Sequence, residues 1–144
     1  MPTSTVPVVW AALHAAVDAA TATTVHYGPP MTESGNFIAI GYTDGGGESV
    51  NADNEWAALG QQHQEERWTL NCLAWVASGD TDMSTRVAEA YALLNVVAGV
   101  LDADYELGGT CRTAYIAEHS CAPEQDNAGS AVRLRFTVNV AARI

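Results

Sequence analysis

The chain has 144 residues, the length of one ordinary domain, and 48% of them are hydrophobic while 16% are charged. This composition is typical of a globular protein and argues against a disordered one. The formal net charge is −11, because six arginines and no lysine stand against 17 acidic residues. Such a negative charge opposes binding to nucleic-acid phosphates and to anionic membrane surfaces, since both require clustered cations.

The sequence indicates neither a targeting signal nor a membrane-spanning segment. Met1–Pro7 lacks the basic start and the apolar run of a signal peptide. The apolar stretch Ala92–Leu101 is far shorter than the roughly 20 residues that a bilayer span needs. The three cysteines lack the close spacing of a zinc or redox motif, which favours free thiols in a reducing compartment: Cys72, Cys111 and Cys121.

The first half of the chain is predicted to contain one helix and two short strands. The helix runs from Val6 to Ala20, and Pro7 stands near its first position, where the missing N–H costs nothing. Its apolar stripe consists of Trp10, Leu13, Val17 and Ala20. The opposite side is mostly alanine, which permits close approach of a neighbour. Strands are predicted at Thr24–Tyr27 and Asn36–Thr43, and the polar stretch Glu48–Gln64 is predicted to be an irregular connection.

The second half is predicted to contain three strands and one long helix. Glu65–Ser78 alternates like a central strand, and Met83–Asp102 keeps helical spacing over about five turns. A strand is predicted at Cys111–Glu118, followed by a polar connection at His119–Ser130. The closing run Ala131–Ile144 alternates again between apolar and polar residues.

The predicted order of elements is therefore α-β-β-β-α-β-β, without internal repeats. Strands joined by short turns favour an antiparallel sheet, and two amphipathic helices would cover one of its faces. We expect a single α+β domain over residues 1–144, with a mainly antiparallel sheet packed by two helices.

No catalytic constellation is visible in the sequence. A nucleophile elbow is missing, and a phosphate-binding loop ending in lysine is excluded because the chain has no lysine. The pair Asp80 and Asp82 is expected to cap the second helix, while His119 and Cys121 are weak candidates for metal ligands without a second pair. We therefore expect a non-enzymatic protein that uses neither metal nor cofactor.

Eight segments occur in an order and spacing that together resemble a known family. They are Ala11–Ala16, Val25–Thr32, Leu59–Gly60, Glu65–Glu66, Cys72–Trp75, Ser78–Asp80, Leu107–Gly109 and Phe136–Ile144. Their succession covers essentially the whole chain. It resembles the tail terminator (tail completion, minor tail protein U-like) proteins of long-tailed phages, particularly those that infect actinobacteria. Each segment alone is common, and the specificity lies in their succession.

The resemblance implies a structural role and supplies no catalytic residues. Such proteins are implied to form a ring of six copies on the last ring of the tail tube. The ring stops polymerisation of the tube and offers its other face to the head-completion (neck) protein. The implied location is the head-proximal end of the tail in the virion, after assembly in the host cytoplasm. Genomic DNA would pass through without specific binding, and acidic channel walls suit that passage because they repel a polyanion.

Three residues are candidates for contacts with other subunits. Trp56 is an aromatic residue in a polar stretch, and it either anchors an interface or packs locally within its own loop. Arg133 and Arg135 point outward on the closing strand. Either they meet acidic groups of a neighbouring subunit or of the tube, or they are solvated or paired within their own chain.

Four acidic residues are candidates for the lining of the channel. They crowd one polar segment of the chain and are Asp44, Glu48, Asp53 and Glu55.

Three other functions remain open at this point. The nearest is another connector of the same particle, such as a head-closure or tail-tube protein. The second is a module that binds a small ligand between the helices and the sheet. The third, an acidic mimic of DNA, is disfavoured because the carboxylates are spread over loops and helix ends.

Overall fold

The hydrophobic alternation of the sequence builds one layer of strands and one layer of helices. The computed structural model describes residues 4–30, 35–44, 47–56 and 64–144. In chain order the elements are α1 (Val6–Ala20), β1 (Thr24–Tyr27), β2 (Phe37–Ile40), β3 (Val50–Trp56), β4 (Gln64–Ser78), α2 (Met83–Ala103), β5 (Thr113–Asp126) and β6 (Gly129–Arg143).

Strands β4 and β6 form the centre of the sheet. They pair in antiparallel register from Glu65 opposite Arg143 to Ser78 opposite Ser130. The order across the sheet is β1-β2-β4-β6-β5, and β3 pairs with the part of β4 that β2 leaves free. Every described pairing is antiparallel except that of β1 with β2. Strands β1 and β5 therefore lie at opposite edges of the sheet.

Both helices cover the same face of the sheet, which we call the helix face. Alternate residues of β4 and β6 are buried against them: Trp68, Leu70, Cys72, Ala74 and Val76, with Val132, Leu134, Phe136, Val138 and Val140. The helices contribute Val9, Leu13 and Val17 from α1 and Ala90, Leu94 and Val97 from α2. These contacts confirm the predicted α+β fold with a mainly antiparallel sheet and two helices. Within the described residues, no helix is long and apolar enough to cross a membrane.

The predicted irregular connection Glu48–Gln64 is wrong in part, because it contains β3. This strand pairs with β4 from Val50 opposite Leu70 to Trp56 opposite Gln64. Its residues 51–55 are exposed, so polar side chains stand on both of its faces and no apolar alternation marks it as a strand. Backbone pairing with the long neighbour β4 makes it extended.

The predicted polar connection His119–Ser130 is also wrong, since β5 continues to Asp126. This half of β5 is an edge strand that is mostly exposed on both faces, and it therefore lacks apolar alternation. A tight turn at residues 127–128 leads into β6, where a Cβ atom on Gly129 would lie 2.0 Å from the Ser78 carbonyl oxygen. That position of the hairpin therefore requires glycine.

Two local predictions at the helices have different outcomes. Asp82 is the N-cap of α2, as expected, and accepts hydrogen bonds from the amide (3.3 Å) and the hydroxyl (2.6 Å) of Thr85. Trp10 lies only partly within the core, because its ring stacks on Tyr27 with centroids 4.7 Å apart. Its Nε1 donates a 2.9 Å hydrogen bond to the carbonyl oxygen of Ile40.

Candidate interaction surface

The sheet face opposite the helices carries most of the ion pairs among the described residues, and we call it the open face. Alternation along the strands places polar side chains there, including Asn51, Asp53, Arg67, Thr69, Asn71, Tyr115, Glu118, Arg133, Arg135, Thr137 and Asn139. Two shallow depressions of about 590 and 450 Å³ run along this face. The open face is therefore a polar, gently grooved surface rather than a closed pocket.

A small apolar cluster occupies the end of the open face near β2. Phe37, Ala39 and Leu73 are buried there, and Tyr42 and Trp75 pack against them. The guanidinium carbon of Arg133 lies 5.1 Å from the centroid of the Trp75 ring. This cation–π contact covers the exposed side of the cluster with a charged group.

Asp44 pairs with two of the three arginines of β6, Arg133 and Arg135. Its carboxylate lies 2.9 Å from Nε of Arg133 and 2.7 Å from Nε of Arg135, and its side chain is only 15% exposed. Arg133 also contacts the carboxylate of Glu124 on β5. Both side chains therefore pair within their own chain, and a contact with acidic groups of a neighbouring subunit or of the tube stays a prediction. The charge of Asp44 is compensated within its own chain, and its place in a channel wall stays a prediction.

A second group of ion pairs lies at the other end of the open face. Glu65 on β4 lies 3.0 Å from Arg112 and 3.7 Å from Arg67, and Arg67 also lies 3.7 Å from Glu55 on β3. The pair of Arg67 with Glu55 is well exposed, so its contribution to stability is at most about 1 kcal/mol. Exposed ion pairs of this kind determine which charges the surface presents to a partner, and they add little to the stability of the fold.

The remaining predicted acids lie on or beside β3. Glu48 and Asp53 are exposed, and Asp53 stands opposite Arg67 in the register of β3 and β4. Glu55 is exposed beside Arg67. Trp56 is the last residue of β3, but its side chain lies outside the described part of the structure, so its role at an interface stays a prediction.

The charge of the described residues is unevenly distributed. Four of the six arginines pair with acids on the open face: Arg67, Arg112, Arg133 and Arg135. The helices and turns carry mainly acids, namely Asp18, Asp80, Asp82, Glu89, Asp102, Asp104 and Glu106, with Arg86 among them. More of the negative charge therefore lies away from the open face than on it, although acids outnumber the arginines there as well.

Sequence reasoning missed the acids that compensate these arginines. Glu124 faces Arg133 from the neighbouring strand β5, and Glu65 contacts Arg67 on its own strand and Arg112 just before β5. Asp44 reaches Arg135 across 91 positions of the chain. Strand alternation could have placed Glu65 and Arg67 on the same face of β4, but the contact of Glu65 with Arg112 follows only from the folded arrangement. Asp44 lies outside any strand, so no periodic signal marks it.

Two of the three free cysteines are held in the protonated form. Burial raises the pKa of the Cys72 thiol to about 12, and burial followed by the nearby charges of Asp104 and Glu106 raises the pKa of Cys111. A protonated thiol is a poor nucleophile at neutral pH.

His119 lies 3.2 Å from the hydroxyl of Tyr91. In the part of the chain that the structure describes, no three His, Cys, Asp or Glu side chains are placed to hold a metal ion together.

No protein-family model matches this sequence, and no curated protein sequence is significantly similar to it. Among solved structures, the chain is similar to one described as "Virion of native gene transfer agent (GTA) particle". The TM-score is 0.49 at 9% sequence identity, and the match covers 98% of this chain and 100% of that chain.

Proposed function

We propose that this protein is a structural component of a tailed-phage virion and acts as the tail terminator. In this proposal a ring of six copies caps the tail tube, ends its polymerisation and presents a surface to the head-completion protein. The observation that carries the proposal is the ordered succession of segments from Ala11 to Ile144 that resembles this family. In the fold these segments include α1, the centre of β4, the turn after α2 and the end of β6.

The charge pattern supports passage of DNA without adhesion. Arginines on the open face are paired with carboxylates of their own chain, so they offer phosphates few free cations. Glu48, Asp53 and Glu55 are exposed and remain our candidates for the channel wall. Their repulsion of the DNA backbone would keep the genome mobile in the channel.

We also propose that the protein is not an enzyme and takes no cofactor. The raised pKa values of Cys72 and Cys111 support this, because neither thiol is activated as a nucleophile. The proposed partners are further copies of the chain, the tail tube protein and the neck protein. The proposed location is the head-proximal end of the tail, and assembly takes place in the host cytoplasm.

Electron microscopy of particles made without this protein tests the proposal. A tail terminator predicts overlong tails that lack heads, because tube polymerisation no longer stops. DNA-filled heads beside unattached tails of normal length would instead indicate a head-closure protein. Particles of normal appearance would refute both structural roles.

The depression of about 590 Å³ on the open face favours one alternative, the binding of a small polar ligand. Its lining includes Asp53, Arg67, Arg112 and Asn139, which are polar groups of both charge types. A ligand that binds only the folded protein raises its melting temperature. A saturable rise with a small polar molecule, in a protein that is missing from virions, would support this alternative over the terminator.

A further inference from the structure

A row of alternating charges crosses the open face from one edge of the sheet to the other. It begins with Glu55 on β3 and continues with Arg67 and Glu65 on β4. It ends with Arg112, directly before β5. Neighbouring charged groups of this row lie 3.7, 3.7 and 3.0 Å apart. We call it the charge row, and it has a carboxylate at one edge of the sheet and a guanidinium at the opposite edge.

Both ends of the charge row are open to a further partner. The side chains of Glu55 and Arg112 are 66% and 56% exposed, whereas that of Glu65 inside the row is only 15% exposed. Among the described residues, each end group pairs only with its neighbour in the row. Asp104 and Glu106 follow α2 on the helix face, whereas Arg112 contacts Glu65 on the open face. A second copy of this chain supplies what both ends lack, since its row begins with an acid and ends with a cation.

The strand directions allow two copies to continue one sheet. Strands β3, β4, β6 and β5 are neighbours in this order, and each is antiparallel to the next, so β3 and β5 run in opposite directions. Strand β1 runs in the same direction as β3, because it is parallel to β2, and β2 and β3 are both antiparallel to β4. When a second copy lies beside the first in the same sense, its β1 and β3 are antiparallel to β5 of the first. Antiparallel pairs are the more common kind in sheets.

The uncharged parts of the two edges lie at the same level of the sheet. The pairing register places Val25 on β1 level with Cys121 on β5, through Ile38, Ala74 and Leu134. Strand β1 contains no acid and no arginine, and neither does β5 from His119 to Ala122. Two copies placed side by side without a shift along the strands therefore bring these two uncharged segments together.

The charged parts of the edges match at the same alignment. The register places Asp53 on β3 level with Thr113 on β5, through Arg67 and Ala141. Arg112, one residue before Thr113, therefore lies between the levels of Asp53 and Glu55. Strand β1 extends one strand further than β3, so the gap between Arg112 and β3 of the second copy spans two strand spacings, about 10 Å. An arginine and a glutamate side chain together bridge such a gap.

The acids of β5 lie at levels where the opposite edge has no strand. Glu118 is level with Asn71, the residue of β4 between the part that pairs with β2 and the part that pairs with β3. Glu124 and Asp126 lie beyond the level of Trp75, the last residue of β4 that pairs with β2. At this alignment no acid of β5 faces an acid of β1 or β3, so the contact avoids the repulsion that an acidic chain otherwise meets.

We propose that β5 of one copy pairs with β1 of the next copy, and that Arg112 of the first copy binds Glu55 of the second. This contact rests on the proposed function and deepens it, since it would join the copies of the ring. Two different edges meet in the contact, so its repetition closes a ring when the rotation per copy is suitable. The charge rows of the copies then form one continuous belt of alternating charges.

Exchange of the two end charges tests the contact by sedimentation velocity of the purified protein. Glu55→Arg places two cations at each junction and Arg112→Glu places two carboxylates there, so each variant alone should associate about tenfold more weakly than the wild type. The double variant has the net charge of the wild type and an ion pair of exchanged polarity at each junction, so it serves as the matched control. We expect it to associate like the wild type. A role of these two residues within their own chain alone predicts no such recovery.

An equal mixture of the two single variants gives a second, independent result. At one junction Arg112 of a Glu55→Arg copy meets Glu55 of an Arg112→Glu copy, and at the next junction the two substituted residues meet with opposite charges. We expect the mixture to associate like the wild type with the two variants in strict alternation. A ring of six copies can close in this way because six is even.

The results that would overturn the contact are specific. They are wild-type protein that stays monomeric up to about 1 mM, single variants that associate like the wild type, or a double variant and a mixture that both fail to recover. Recovery as expected, beside tails of normal length in particles made without the protein, would keep the contact and reject the terminator role. Overlong tails in those particles, beside association that neither substitution changes, would keep the terminator role and reject the contact.

Discussion

The carboxylate of Glu66 on β4 anchors the start of α1 through Thr5. Its Oε1 accepts hydrogen bonds from the amide of Thr5 at 2.7 Å and from its hydroxyl at 2.5 Å. Trp68 Nε1 donates to the same hydroxyl at 3.3 Å. Glu66 is only 2% exposed, so a buried negative charge lies at the positive end of the helix. This contact ties the first helix to the centre of the sheet.

We expect Glu66→Ala to lower the free energy of unfolding by about 2–3 kcal/mol, because the Thr5 donors lose a buried acceptor. Glu66→Gln keeps an acceptor oxygen but removes the charge, so we expect a smaller decrease in the free energy of unfolding. Urea unfolding monitored by tryptophan fluorescence measures both. Glu55→Ala, which within the chain removes only the exposed ion pair with Arg67, is the control and is expected to change stability by at most about 1 kcal/mol. Equal stabilities of Glu66→Ala and the wild type would contradict the anchoring role.

Charge-reversing substitutions around Asp44 distinguish two roles of Arg133 and Arg135: pairing within their own chain and contacts with a neighbouring subunit. Arg133→Glu with Arg135→Glu places acids beside Asp44, so this double variant loses stability through repulsion. Adding Asp44→Arg gives a triple variant in which the pairs with position 44 form again with the charges exchanged. We expect the melting temperature of this triple variant to recover most of what the double variant lost.

Assembly of the triple variant then reports on contacts between subunits. If the arginines also meet acids of a neighbour, tails built with the triple variant are defective although its stability is restored. Intact particles with tails of normal length would show that Arg133 and Arg135 serve only their own chain.

Much of the fold could be predicted from the sequence, because burial on one face imposes a period on the chain. Alternation in β6 correctly placed Val132 and Leu134 inside and Arg133 outside. Strand β3 could not be predicted in this way, since neither of its faces is buried and its extended form comes from pairing with β4. The hydrogen-bonded ion pair of Asp44 and Arg135 could not be predicted from the sequence either, because it depends on the path of a loop between distant positions.

Replacement of Trp56 tests the predicted interface at the end of β3. We expect Trp56→Ala to impair ring or tail assembly and to leave the melting temperature of the monomer within about 2 °C, as for a surface change. Differential scanning fluorimetry and electron microscopy of complemented particles measure the two effects. Trp56→Phe, which keeps an aromatic ring, is the matched control. A large loss of melting temperature would place the side chain in the core instead.

Asp82 makes the stability of α2 depend on pH. Hydrogen bonds from the Thr85 side chain and amide lower the pKa of Asp82 below its usual 3.8, because they favour the ionised carboxylate. A lowered folded-state pKa adds stability above the unfolded pKa, and this stability disappears as the pH falls through the folded value. We therefore expect Asp82→Ala to melt below the wild type at pH 7. The difference between the melting temperatures of the wild type and Asp82→Ala should narrow below pH 3.8, because the carboxylate of the cap becomes protonated. A gap that stays constant from pH 7 to about pH 2 would show that ionisation plays no part in capping.

Reversal of exposed acids tests the proposed channel wall. Glu48 and Asp53 are the sharpest targets, since Glu55 already lies beside Arg67. In particles with Glu48→Lys and Asp53→Lys, each copy offers two cations to the phosphates of passing DNA. We expect these particles to eject DNA in vitro roughly several-fold more slowly than wild-type particles. The difference should shrink at high salt, because counterions compete with the lysines for the phosphates. Asp18→Lys with Asp102→Lys changes the net charge equally on the two helices and serves as the control. If both double variants eject DNA at the wild-type rate, Glu48 and Asp53 do not line the channel; equal slowing of both would show an effect of net charge alone.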